Sequence, residues 1–160
     1  MSAVPAAGPA LPFTVRASPI HGRGAFAARF IAAGTRIVEY AGERITPEEA
    51  ERREPGTMPT GGALGHHTFL FAIDDDVVID AGVGGNEARW INHSCAPNCD
   101  AVIDGGRIYI EAIRDIAPGE ELAYDYAYVL PERHTPAAKR RFPCACGALT
   151  CRRTMLARKR

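Results

Sequence analysis

The sequence predicts a mainly β fold built from short elements. Three observations lead there. Apolar runs are short and broken by turn residues, helical patterning is confined to little of the chain, and paired runs are joined by tight turns. The 160 residues suit one domain, and a hydrophobic content of 46% is enough for a core.

Residues 1–12, rich in Pro, Ala and Gly, read as a flexible lead-in. FTVRA (13–17) and GAFAA (24–28) then read as strands around the turn SPIHGRG. TRIVEYAGERI (35–45) is a further strand, which Gly42 breaks. A helix start follows, with Thr46 as N-cap, Pro47 at the first helical position, and Glu48 and Glu49 facing the dipole. The Gly and Pro content of 55–67 dictates a loop.

TFLFAI (68–73) and DVVID (76–80) form a hairpin through Asp74 to Asp76. A Gly-rich loop from Ala81 runs into a helical turn. CDAVID (99–104) and RIYIEAI (107–113) form a second hairpin, turning at Gly105 and Gly106. APGEELAYDY (117–126) is a turn and a short strand. From Pro131 onward there is little periodicity before a run of cysteines. That tail, poor in apolar residues, is expected to need pinning by something other than a large core.

Lys plus Arg equals Asp plus Glu at 19 each, which leaves no electrostatic footprint for nucleic acid, and no direct binding to it is expected. The tail is locally basic, from Arg140 and Arg141 to Arg158, Lys159 and Arg160, and a solvated face explains this as well as a binding surface does. No run of about 18 apolar residues exists to cross a membrane. The N-terminus lacks the pattern of a signal peptide, so the expected location is intracellular, with the cytoplasm as default. Five cysteines in a reducing compartment need a reason other than disulfides.

Cys144, Cys146 and Cys151 form C-x-C-x4-C. Such spacing around Gly147 can turn three thiolates toward one point, and zinc takes four. The fourth must be Cys95 or Cys99, the only cysteines left. The zinc reading therefore requires the tail to lie against ARWINHSCAPNCD (88–100). A redox or disulfide pair is the rival, but Cys144 and Cys146 are too close in sequence to bridge comfortably.

HGRGAFA (21–27), YAGE (40–43), NHSCAPN (92–98) and GEELAYDY (119–126) occur in this order ahead of the cysteine tail. Together they resemble the SET-domain protein-lysine methyltransferases with a cysteine-rich post-SET tail, in a short stand-alone form. The resemblance covers about Phe13 to Leu156. It implies small curved β-sheets and a C-terminal pseudoknot in which INHSC meets YDY, with a SET domain over 13–130 and a post-SET tail over 131–160. It also chooses Cys95 as the fourth zinc ligand, beside Cys144, Cys146 and Cys151, and leaves Cys99 as a small buried apolar residue.

The implied activity is transfer of a methyl group from S-adenosylmethionine to a lysine amine of a protein substrate, histone-like proteins being candidates. Tyr126 corresponds to the catalytic tyrosine and Tyr124 to the position that influences product number. Arg23, Gly24, Asn92, His93, Tyr126 and Met155 correspond to cofactor contacts. Phe69, Trp90 and Tyr124 correspond to the lysine channel, although aromatics in such runs also serve as plain core. Two departures stand out. Phe69 replaces a tyrosine that many relatives carry, and only small residues occupy Val83 to Gly85, where many place another tyrosine. A catalytically weak module that binds lysine tails or S-adenosylmethionine is the alternative. A thiol enzyme built on His93 and Cys95 is a third reading, weakened by the expectation that neighbouring residues point apart.

Overall fold

In the computed structural model, residues 10–54, 69–130 and 132–158 are described. The expected loop at 55–67 and most of the N-terminal lead-in lie outside them.

Strands β1 (Phe13–Ala17) and β2 (Arg23–Ala27) pair antiparallel. The long run from Thr35 divides into β3 (Arg36–Glu39) and β4 (Glu43–Ile45). Gly42 sits in the break because a Cβ there would enter the Asp80 backbone. Helix α1 (Pro47–Arg53) starts as its caps dictate, with Thr46 Oγ1 accepting from the Glu49 amide at 3.1 Å. In the next hairpin, β5 (Leu70–Ala72) pairs with β6 (Val78–Asp80), and Asp74 Oδ1 accepts the Asp76 and Val77 amides at 2.8 Å.

A single 3₁₀ turn (Glu87–Trp90), capped by Asn86, delivers the chain to β7 (Asn92–His93). Then β8 (Cys99–Asp104) and β9 (Arg107–Ala112) make the longest hairpin. Gly105 and Gly106 both take positive φ, 58° and 75°, as the tight turn between these strands requires. In β9, Ile108, Ile110 and Ala112 are buried in strict alternation, which gives the main core its floor. Ile91, Ile116 and Leu122 close over them.

The decisive element is β10 (Ala123–Tyr124). It lies between β7 and β8, parallel to both, in a five-stranded sheet of order β3-β9-β8-β10-β7. A parallel neighbour cannot come from a tight turn, so chain distant in sequence has to thread into that slot. Ala123 pairs with Asn92 and Tyr124 with His93. The meeting of INHSC with YDY is thus a sheet contact.

The tail departs from expectation. Pro136–Arg141 forms helix α2, capped by the Thr135 side chain on the Ala138 amide at 3.1 Å. Its six residues carry only one buried side chain, Ala138, so no apolar period announced it. The tail also has a small core of its own. Leu130, Ala138, Phe142 and Leu156 are buried together, with Tyr128 and Met155 packed against them. The poverty in apolar residues was overstated, because those present converge.

Candidate functional site

Strand pairing between β7 and β10 sets the geometry around Tyr126. Its backbone amide donates to His93 Nδ1 at 3.0 Å, and its hydroxyl donates to the Ile91 carbonyl at 2.6 Å. Since Nδ1 accepts, the His93 proton sits on Nε2, which faces Cys95 Sγ at 3.4 Å. Burial drives the His93 pKa down to about 4, and nearby Asp125 only partly offsets this. The ring is therefore neutral near pH 7, and its 3.6 Å approach to Asp125 is no ion pair. The expectation that His93 and Cys95 point apart does not hold. Residues two apart in an extended segment share a face.

Aromatic rings gather around Tyr126. The Tyr124 ring lies 4.7 Å from it, Tyr128 5.7 Å and His93 5.4 Å, centroid to centroid. Tyr124 in turn stacks on Phe71 at 6.2 Å. Burial pushes the hydroxyl pKa values of Tyr124 and Tyr126 well above 10, so both remain protonated. Among the described residues the Tyr124 hydroxyl has no hydrogen-bond partner. Phe69 meets Trp90 edge-on at 5.3 Å, and its carbonyl accepts the Tyr40 hydroxyl at 2.9 Å. The guanidinium groups of Arg23 and Arg89 lie 5.3 and 5.0 Å from the Trp90 ring, so cations of the protein itself already flank that indole.

A cavity of about 240 Å³ opens beside Tyr126. Asn92, His93, Tyr126 and Met155, all singled out in the sequence, line it. So do Ile20, His21, Tyr128, Pro143, Cys144 and Ala145, which were not. Arg23 and Gly24 are not among its lining residues. Instead, the Arg23 carbonyl accepts from Asn92 Nδ2 at 2.9 Å, and the space at Gly24 is taken by Ser18 and Glu121. The mixture of aromatic and apolar walls with a few convergent polar groups suits a small organic ligand.

Behind the cavity, Cys95, Cys144, Cys146 and Cys151 bring their four sulfurs within 4.8 Å of one another. Cys95 and Cys144 are 3.8 Å apart, close to the edge of a tetrahedron with bonds of about 2.3 Å to a central ion. The Arg152 amide donates to Cys95 Sγ and the Arg153 amide to Cys151 Sγ, each at 3.4 Å, as thiolate sulfurs favour. The cluster fits a metal. Cys99 is excluded from it, buried in β8 beside β10, where burial pushes its thiol up to about 12. The Arg152 side chain ties cluster to site through two 2.9 Å bonds to Asp125, between the two tyrosines.

A family model described as the SET domain matches residues 22–127. This chain belongs to the SET-domain family. Related proteins include the H3 lysine-4 specific histone-lysine N-methyltransferases of Candida albicans, 46% identical over 88% of this chain and 13% of that protein, and of Saccharomyces cerevisiae, 47% identical over 84% and 12%. Histone-lysine N-methyltransferase trithorax of Drosophila virilis is 40% identical over 85% of this chain and 3% of that protein. This SET-domain chain therefore spans a small part of the length of the curated relatives it matches. Among solved structures, a chain of ctPRC2 in an autoinhibited conformation bound to S-adenosylmethionine is similar, with TM-score 0.66 and 33% identity over 77% of this chain and 16% of that one. No helix among the described residues of the SET-domain chain is long and apolar enough to cross a membrane.

Proposed function

We propose that this chain transfers a methyl group from S-adenosylmethionine to a lysine side-chain amine of a histone or histone-like protein. The observation that carries the reading is the junction of two features at Tyr126. A buried cluster of tyrosine rings stands on one side and the cavity walled by Asn92, His93 and Met155 on the other. S-adenosylmethionine, when bound, supplies an electrophilic methyl group for in-line displacement.

The protein's share is alignment and desolvation. A free lysine ammonium, with a pKa of about 10.4, has no lone pair to attack with at neutral pH. Removing it from water among Tyr124, Tyr126 and Phe71 favours the neutral amine. Tyr126, kept protonated by burial, is unsuited to act as a base. Its hydroxyl donates to the Ile91 carbonyl, which leaves the oxygen as an acceptor that can orient an amine N–H. The unpartnered Tyr124 hydroxyl is placed to hold a water or the amine itself, which supports a role in limiting product to mono- and some di-methyl-lysine. Phe69 contributes a wall without a hydroxyl. Trp90 serves mainly as the support for Phe69, since Arg23 and Arg89 flank its ring.

Zinc is the metal that the four cysteines suit, and they would hold it in a structural role, because four sulfur ligands would leave no position open for a reacting group. Residues 131–160 are then a post-SET tail whose Cys144, Ala145 and Met155 complete the cavity wall. The histone preference follows the activity of the relatives, so the compartment of this chain follows its substrate rather than a cytoplasmic default. Incubation with methyl-labelled S-adenosylmethionine, histone H3 and unrelated proteins tests the reading. Label on a histone lysine is the expected result. Binding of the cofactor with no transfer to any substrate would leave a binding module in its place.

A further inference from the structure

The space beside the second glycine of GRG is filled by the protein's own side chains. A Cβ at Gly24 would lie 2.8 Å from Glu121 Oε2 and 2.9 Å from Ser18 Cβ. The half-buried Glu121 carboxylate fills that space. It accepts the Ser18 hydroxyl at 2.7 and 2.9 Å through its two oxygens, and Asn92 Nδ2 at 3.1 Å. The backbone holds it there as well, since Phe26 and Glu121 form an antiparallel bridge beside the Leu122 amide to Ala25 carbonyl bond of 2.8 Å.

Asn92 Nδ2 is surrounded by acceptors: the carbonyls of His21 and Arg23 at 3.2 and 2.9 Å, Ser18 Oγ at 3.3 Å and the Glu121 carboxylate. A flipped amide would set Oδ1 against three oxygens that can only accept. The flip is forbidden, and the Asn92 oxygen has no intramolecular partner among the described residues although Asn92 lines the cavity. Resting on the proposed cofactor site, we infer that Glu121 is a positioning residue: together with the His21 and Arg23 carbonyls it holds Asn92 Nδ2, so that the cavity wall presents an acceptor oxygen rather than donors. That oxygen is matched to a cationic or N–H donor on the ligand, such as the amino group of the methionine portion of S-adenosylmethionine. Gly24 is the space that lets Glu121 do this.

Glu121→Gln keeps the shape but can turn N–H donors toward Asn92 Nδ2, so one of its three obligate acceptors is lost and the His21 and Arg23 carbonyls alone hold the amide. Titration calorimetry with S-adenosylhomocysteine, on wild type, Glu121→Gln, Asn92→Ala and the double variant, reads the effect. Wild type is expected to bind, and Glu121→Gln to weaken binding about tenfold, the scale of one charge-assisted hydrogen bond. In the Asn92→Ala background the same change should matter less than about twofold, because non-additivity marks residues acting through one another. Equal losses in both backgrounds, or none in either, overturn the positioning role. A wild type that binds nothing removes the cofactor reading, and this inference with it. Circular dichroism checks folding, and if Glu121→Gln does not fold, Ser18→Ala, which frees the same carboxylate, enters the cycle instead with the same expectations.

Discussion

Replacing Tyr126 by Phe deletes one oxygen and separates what that oxygen does for the fold from what it does for the reaction. In the fold it donates a 2.6 Å bond to the Ile91 carbonyl in a buried setting. Losing the donor strands that carbonyl, at a cost of about 1–2 kcal/mol. For a domain of this size the melting temperature should drop by about 3–6 °C. The ring contacts to Tyr124, Tyr128 and His93 survive, as does the backbone bond to His93 Nδ1. In the reaction, the same oxygen is a preorganised contact at the reacting centre, and its loss should slow methyl transfer by about a hundredfold or more. A thermal melt and single-turnover transfer from labelled S-adenosylmethionine measure the two effects on the same preparation. Activity within a fewfold of wild type, alongside the expected drop in melting temperature, would show that the hydroxyl only supports the fold.

Other substitutions probe the rest of the site. Cys151→Ser should lower bound zinc and weaken binding of S-adenosylhomocysteine together, since the cysteine cluster and the cavity share Cys144; full zinc by metal analysis would refute the ligand set. Tyr124→Phe should shift products toward di- and tri-methyl-lysine with total transfer kept, as read by mass spectrometry. A wild type that already yields mostly tri-methyl-lysine would show that the open wall at Phe69 dominates. Gly42→Ala should destabilise the protein by about 2–3 kcal/mol in denaturant unfolding, because the new methyl enters the Asp80 backbone.

Local physics carried much of this structure into the sequence. Thr46 followed by Pro47 starts a helix, Gly105 and Gly106 turn a hairpin, and both act within a few residues of where they are written. Three of the clustered cysteines were legible from their spacing, which left Cys95 and Cys99 open as the fourth, and only the family resemblance chose Cys95. Helix α2 escaped although Thr135 and Pro136 repeat the signature of Thr46 and Pro47, because the apolar periodicity used to confirm a helix is absent from six residues. The polar network was out of reach for another reason. Ser18 and Glu121 are 103 positions apart, and nothing near either announces the other. Ile20, His21 and Tyr128 likewise line the cavity only because the tail folds back across it. Gly24 was noticed, but Ser18 and Glu121 beside it were not: a missing side chain announces close approach without saying what approaches.

The slot occupied by β10 has a consequence for how the molecule comes into being. Both its flanks, β7 and β8, are laid down earlier in the chain, and β10 joins them only by a non-local, parallel pairing. Chain-closure entropy must be met before that contact repays it, which makes such topologies slow to fold. The cavity needs still later residues, as far as Met155. On a ribosome, most of the main core is therefore complete before any competent pocket exists, and ligand binding becomes a report that Met155 has been made and β10 has threaded.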